Sequence, residues 1–363
     1  MDVLGRLTII IPTTDRPKFV KRQIQYWSDL PAKVVIIDGS AEGREYQEDE
    51  LPANISYVHT ATSFQSRMLA SIDQVGTEFV AVLGDDDFFS PAGLRACIAR
   101  LDADSSIIGC VGRSIRFTFQ DGRVLAEQRD PQSTEFPSLV VTGIERLYAT
   151  YHPGKIGALL YGVYRVEPWK DVVQTTYSVS YRTAYIYDTI IRVLLTYRSA
   201  IGLAETVTWY CSSENPPIKV APGWNRLLGG VEWLTSTESI SEVNDCKKRM
   251  VDDLASLGID QRQEIEAAVE FVINELLRRY AVKAAIKTMW TTRIRHAVVR
   301  LSPRFIRKLG KRTLPQRFRK SFDWTLVEFD RLLADLMSAE IAVDVTDAQK
   351  IVDHVRQTHL QIS

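Results

Sequence analysis

Four short apolar runs set the frame of this chain, because none is long enough for a helix and each is bounded by turn-forming or polar residues. They are Leu7 to Pro12 (LTIIIP), Lys33 to Asp38 (KVVIID), Ile55 to Thr60 (ISYVHT) and Phe79 to Gly84 (FVAVLG), and each reads as a strand. Helical patterns separate them. After the first run, Phe19, Ile24 and Trp27 recur at helical spacing, with Asp15 expected as the cap and Pro17 in the first turn; Ser66 to Val75 reads as a short helix. A third helix opens at Pro91, where a missing N–H costs nothing. Such alternation writes a mostly parallel sheet with crossover helices. Ile107 to Arg113, SIRFTFQ and RVLAEQ read as further strands, the last two joined by Asp121-Gly122, a hairpin signal. The Gly/Tyr-rich stretch from Tyr151 to Tyr164 and the run near Glu205 complete the sheet-like part, which ends near Pro216-Pro217. Beyond Gly230 the pattern is helical, with Ile265, Val269, Val272, Leu276 and Tyr280 on one stripe. The expected fold class is therefore α/β: a mostly parallel central sheet flanked by helices over residues 1–217, then a helical C-terminal domain over 218–363. No internal repeat is visible.

The chemistry gathers where the strands end. Asp85, Asp86 and Asp87 follow the fourth run directly. Three adjacent carboxylates repel one another and call for a cation or hydrogen-bond donors. Ligands of open α/β sheets bind outside the carboxyl ends of the strands, which is where the cluster falls. If Asp85 and Asp87 point the same way, they form an oxygen site suited to Mg²⁺ or Mn²⁺ shared with phosphate oxygens. A solvated turn or helix cap is the plainer reading of the same residues. The first run ends in Pro12-Thr13-Thr14-Asp15-Arg16 and the second in Asp38-Gly39-Ser40, so hydroxyls, carboxylates and an arginine share this sheet edge. That assembly suits a nucleotide sugar.

On these residues the chain resembles an inverting glycosyltransferase of family 2 type, with the GT-A fold. IIIPTTDRPKFVKRQI resembles the family's opening strand and loop, VVIIDGSAE its second strand, and FVAVLGDDDFFSP its Asp-x-Asp strand. The resemblance covers roughly residues 5 to 215. It implies a nucleotide-sugar site made by Pro12, Thr13, Arg16, Asp38, Arg67, Asp85 and Asp86, with Asp38 at the nucleoside and a metal on two of Asp85, Asp86 and Asp87, of which Asp85 and Asp87 are the expected pair. Met68 stands where the family often has Asn, and Gly84 where it often has a first Asp. An inverting transfer needs a general base; by the resemblance this is Asp188, followed by Arg192, with Tyr187 where an acid is common. Asp188 also reads as a first-turn carboxylate or as the i,i+4 partner of Arg192. The implied reaction moves a sugar from a nucleoside-diphosphate sugar to a hydroxyl of a saccharide or lipid-linked acceptor in surface-polysaccharide synthesis. A non-catalytic scaffold of a synthesis complex is the alternative. A nucleotidyltransferase ranks lower because PTTDRPK lacks the glycine-rich phosphate loop.

Composition adds one fact. The 45 basic and 45 acidic residues cancel, but Arg278 to Lys320 holds 15 Lys and Arg and no Asp or Glu, leaving 30 basic against 45 acidic elsewhere. From Arg293 onward, eleven cations interleave with Ile294, Val298, Leu301, Phe305, Ile306, Leu309, Leu314 and Phe318. Such a segment suits an anionic membrane surface, with contact to the acidic body or between copies of the chain as rivals. Nucleic acid is not expected, because no recognised binding module accompanies it. The start of the chain shows no signal peptide and no stretch long enough to span a membrane, so a cytoplasmic protein, peripheral on the inner face, is expected. Cys97, Cys110, Cys211 and Cys246 lack metal or disulfide spacing and read as free thiols. His152 and Lys155 in YHPGKIG, and Trp209, Tyr210 and Trp224, read as turn or packing residues before ligand contacts.

Overall fold

The computed structural model describes residues 2–43, 50–129, 142–151, 159–213, 228–291 and 326–360. Its frame is a ten-stranded mixed sheet: β1 (Leu7–Thr13), β2 (Lys33–Asp38), β3 (Ile55–His59), β4 (Phe79–Val82), β5 (Phe88–Phe89), β6 (Gly109–Gln120), β7 (Arg123–Arg129), β8 (Val163–Arg165), β9 (Ile201–Ser212) and β10 (Val327–Glu328). The spatial order is β10-β7-β6-β8-β4-β1-β2-β3, while β9 runs parallel to β6 and also pairs with β5. β4, β1, β2 and β3 are mutually parallel, so their carboxyl ends share one edge.

Period-two alternation in these strands divides the apolar residues between two faces. Ile9, Ile11, Val34, Ile36, Phe79 and Ala81 enter one core, and Ile10, Val35, Ile37, Val80 and Val82 the other. The first face is covered by α1 (Pro17–Trp27) and α3 (Pro91–Ala103). The second is covered by α2 (Phe64–Ala70), α4 (Gly143–Tyr151), α5 (Val166–Tyr177) and α6 (Tyr185–Arg198). The result is helices on both sides of one sheet, as continuous apolar strand runs require.

The expected boundary at Pro216-Pro217 lies outside the described residues. Among the described residues, the helices beyond it pack into the two cores of the sheet. α7 (Gly230–Thr235), α8 (Ile240–Ala255) and α9 (Arg262–Thr291) join the second core through Trp233, Cys246, Val251, Ile265 and Val272. α10 (Phe329–Ser338) and α11 (Val345–Leu360) return to the first core through Phe329, Leu333, Ile351 and Val355, and β10 pairs with β7. Asp347 of α11 accepts from Ser90 Oγ at 2.5 Å and Ala92 N at 2.8 Å, tying the last helix to the first turn of α3.

Two local expectations are corrected. Asp15 is not the cap of α1: Arg16 is, without a side-chain hydrogen bond, and Asp15 takes a left-handed conformation with φ 53°. The two segments read as separate strands around Gly112 are one long strand, β6. A Cβ on Gly112 would lie 1.9 Å from Thr208 Oγ1, so glycine there admits the close approach of β9 where their register shifts. The Asp121-Gly122 hairpin forms, both residues having positive φ. Among the described residues no helix is long and apolar enough to cross a membrane, and the four cysteines are free and buried.

Candidate nucleotide-sugar site

The parallel edge brings the ends of β1, β2 and β4 together. Thr13 closes β1, Asp38 closes β2, and the Asp85–Asp87 cluster follows β4, all buried. Pro12 lies in register with Ile37, and Thr13 with Asp38. The cluster is held from α1: Gln23 Nε2 donates to the carbonyls of Asp85 and Asp87 at 3.0 and 2.7 Å, and Arg22 Nη2 donates to that of Asp86 at 2.6 Å. Arg22 and Gln23 are polar residues on the buried face of α1, the one signal by which a sequence reading could have found them.

The three carboxylates differ in their partners. Asp85 Oδ2 accepts from Thr13 Oγ1 at 2.6 Å, and its Oδ1 meets the Arg16 guanidinium. Asp86 Oδ2 meets the same guanidinium at 3.1 Å. Asp87 turns to β9 instead, accepting from the Ser212 backbone N–H at 2.8 Å and Trp209 Nε1 at 3.1 Å. Of the three carboxylates from which a metal pair is expected, Asp85 and Asp87 first, Asp85 and Asp86 share one partner in the Arg16 guanidinium. Alternation along an extended backbone fails here because the chain turns, Asp87 N–H bonding back to the Gly84 carbonyl at 3.1 Å. Burial pushes the Asp85 carboxyl up to about 6, against the Thr13 hydrogen bond and the Arg16 charge. Burial, and then the Asp86 charge, push Asp87 up to about 7.

A Mg²⁺ or Mn²⁺ ion takes oxygen ligands and commonly needs only one or two carboxylates when phosphates complete its shell. Among the described residues no group of three His, Cys, Asp or Glu side chains could hold a metal ion. Two carboxylates do meet around one positive centre, the Arg16 guanidinium standing between Asp85 and Asp86. The donor set fits a divalent ion at that pair.

At the ends of β1 and β2 lies a cleft of about 430 Å³ lined by Asp15, Asp38, Ser40 and Tyr57 among others. Asp38 is fixed at its rim: Oδ1 accepts from Ser40 N at 2.8 Å and Ser40 Oγ at 2.5 Å, and Oδ2 from the Tyr57 hydroxyl. Ser40 Oγ also accepts from Asp15 N–H at 2.7 Å, linking the first loop to the second strand end. Arg67, from α2, is buried against the ends of β1 and β2. Its Nη1 donates to the Ile37 carbonyl at 3.2 Å and to that of Thr13, its Nε has no partner, and no carboxylate pairs with it. The side chain is buried and lies where a Cβ on Gly39 would come within 2.4 Å of it. Burial lowers its affinity for the proton, opposed by the charges of Asp38 and Asp85. A buried guanidinium with an unused donor is costly unless an anion joins it.

Asp188 sits in the first turn of α6, partly exposed, and pairs with Arg192 at 2.7 Å, so the helical ion pair read in the sequence is formed. The charge of Asp188 is felt at the buried Tyr161. That ring stacks on Trp209 at 3.8 Å, and Trp209 in turn donates to Asp87. Burial, the Asp87 charge, Cys211 and the Asp188 charge all hold the Tyr161 phenol well above its usual range. Trp209 is a support of the cluster that its reading as a packing residue missed. His152, Lys155 and Trp224, and the basic segment from residue 292 onward, lie outside the described residues.

No protein-family model matches the sequence, and no curated protein is similar to it. Among solved structures the fold is similar to S. aureus TarS. Residues 1–349 of that protein share 15% identity at a TM-score of 0.45, covering 98% of this chain and 91% of that one. A longer TarS chain gives 16% and 0.46, covering 96% of this chain and 55% of that one. The shorter form in complex with UDP-GlcNAc gives 16% and 0.44, with coverage of 98% and 91%.

Proposed function

We propose that the chain is a GT-A-type glycosyltransferase that moves a sugar, with inversion, from a nucleoside-diphosphate sugar to a hydroxyl of a saccharide or lipid-linked acceptor in surface-polysaccharide synthesis. The observation that carries the reading is Arg67: a buried guanidinium with no carboxylate partner and an unused Nε, donating to the carbonyls of Thr13 and Ile37 at the strand ends that carry Thr13 and Asp38. A diphosphate supplies the missing anion, and the cleft takes the nucleoside. Asp38, held rigidly by Ser40 and Tyr57, accepts from the nucleoside, and Thr13 and Pro12 form the wall. A Mg²⁺ or Mn²⁺ ion on Asp85 and Asp86 would supply positive charge against the departing diphosphate.

Asp188 takes the acceptor proton as the acceptor oxygen bonds to the anomeric carbon and the bond to the diphosphate breaks. Its pairing with Arg192 orients it without burying it. The test is calorimetric titration with UDP, GDP, CDP and dTDP, each with and without Mn²⁺, followed by donor hydrolysis with the matching nucleotide sugar. One nucleotide should bind, and Asp188→Asn should keep that affinity while hydrolysis falls by about a hundred-fold or more. Failure of all four nucleotides would favour the scaffold reading.

A further inference from the structure

The residue between the two converging carboxylates is itself unusual. Arg16 bridges Asp85 and Asp86 with two nitrogens, while its buried Nε has no partner. The side chain is 17% exposed, against 4% and 6% for the two carboxylates, so of the three it has the most access to solvent. It follows Asp15, which is held in the left-handed region and bonded through its N–H to Ser40, the residue that fixes Asp38. The loop that carries the bridging cation is thus tied to the wall of the cleft.

Charge makes this arrangement a closed one. A diphosphate approaching Asp15, Asp38, Asp85 and Asp86 meets an acidic wall; Arg22 donates to the Asp86 carbonyl, Arg16 is paired with the Asp85 and Asp86 carboxylates, and Arg67 has no carboxylate pair. A divalent ion meeting the Asp85/Asp86 pair finds a cation already there. Two positive centres cannot share that place without strong repulsion.

We infer that Arg16 is an exchangeable counter-ion: it occupies the place a divalent ion needs between Asp85 and Asp86, and on exchange it turns to the diphosphate. This deepens the proposed function and rests on it for the nucleotide arm alone. The device keeps the acidic cluster neutralised before the donor arrives and delivers a second guanidinium to the phosphates once it has.

The experiment measures Mn²⁺ alone, by electron paramagnetic resonance of the free ion, on wild type, Arg16→Gln and Arg16→Lys. Removing the competing charge should tighten Mn²⁺ binding by about ten-fold or more in Arg16→Gln, while Arg16→Lys stays close to wild type. The nucleotide that binds wild type should, in saturating Mn²⁺, bind Arg16→Gln about ten-fold more weakly. Opposite signs for metal and nucleotide are the signature. Weaker or unchanged Mn²⁺ binding in Arg16→Gln overturns the exchange, as does absence of Mn²⁺ binding in both proteins. A wild-type readout needs no variant: Mn²⁺ alone should raise phenylglyoxal labelling of Arg16, read by peptide mass, and a fall or no change overturns the proposal. If no nucleotide binds, the donor reading fails while the Mn²⁺ arm still decides the exchange.

Discussion

Asp86 and Asp87 are adjacent and chemically identical, yet the fold gives them opposite work. Asp87 spends both oxygens on β9, through the Ser212 N–H and Trp209 Nε1, whereas Asp86 faces the Arg16 loop. Asp87→Asn keeps an acceptor for Ser212 but sets an amide donor against the Trp209 N–H. A buried donor left unsatisfied costs about 1–3 kcal/mol. We therefore expect Asp87→Asn to lower stability by about that amount in urea unfolding while Mn²⁺ affinity changes by less than about three-fold. Asp86→Asn should do the reverse, weakening Mn²⁺ by about ten-fold or more with little loss of stability. Equal loss of metal affinity in both would return Asp87 to the metal site. The sequence could place three carboxylates at a strand end but not divide their roles, because that depends on a turn and on a tryptophan more than a hundred residues downstream.

Pairs of elements carry the same lesson. The strand ends at Thr13, Asp38 and Asp85 were legible because each apolar run and its polar stop are local, and a parallel sheet aligns such stops by itself. What was not legible is non-local: β9 supporting the cluster, and α10 and α11 returning to the first core across the whole chain. Nothing in the periodicity of α11 says what it covers. One consequence can be titrated. His354 of α11 is half-buried against the edge of Tyr26 in α1, with Lys350 and Arg22 nearby and Asp353 opposing them. Burial first, then those two cations, lower its pKa below the ordinary 6.5. The folded state thus disfavours the charged imidazole, and the unfolded chain binds the proton first as pH falls. Stability from this group is full above pH 6.5 and is lost as pH drops below it toward the folded value. Urea unfolding at pH 7.5 and 5.5 should show a loss that shrinks in His354→Gln. An identical loss in the variant would mean that other groups set the acid limb.

At the scale of the whole molecule, the 15 cations between Arg278 and Lys320 face a remainder with 15 more acids than bases. Among the described residues, Arg278 pairs with Glu275 of its own helix at 2.8 Å and Arg279 donates to the Tyr151 carbonyl at 3.1 Å. The eleven from Arg293 onward are interleaved with apolar side chains, a pattern that surface pairing alone does not need and that an interfacial segment does. Each basic group near an anionic leaflet contributes about 1 kcal/mol. Replacing Arg304, Arg307, Lys308, Lys311 and Arg312 with Gln should then remove about 5 kcal/mol of membrane attraction. Co-sedimentation with vesicles of mixed neutral and anionic lipid should retain the wild type at low salt, release it as salt rises, and fail for the five-fold variant. Neutral vesicles should retain neither protein, and nucleotide binding should be the same in both, since the five residues lie far along the chain from the Asp38 cleft. If the wild type ignores anionic vesicles while the variant unfolds at lower urea, the basic segment is instead neutralising the acidic body, and the two charged halves of the sequence exist for each other.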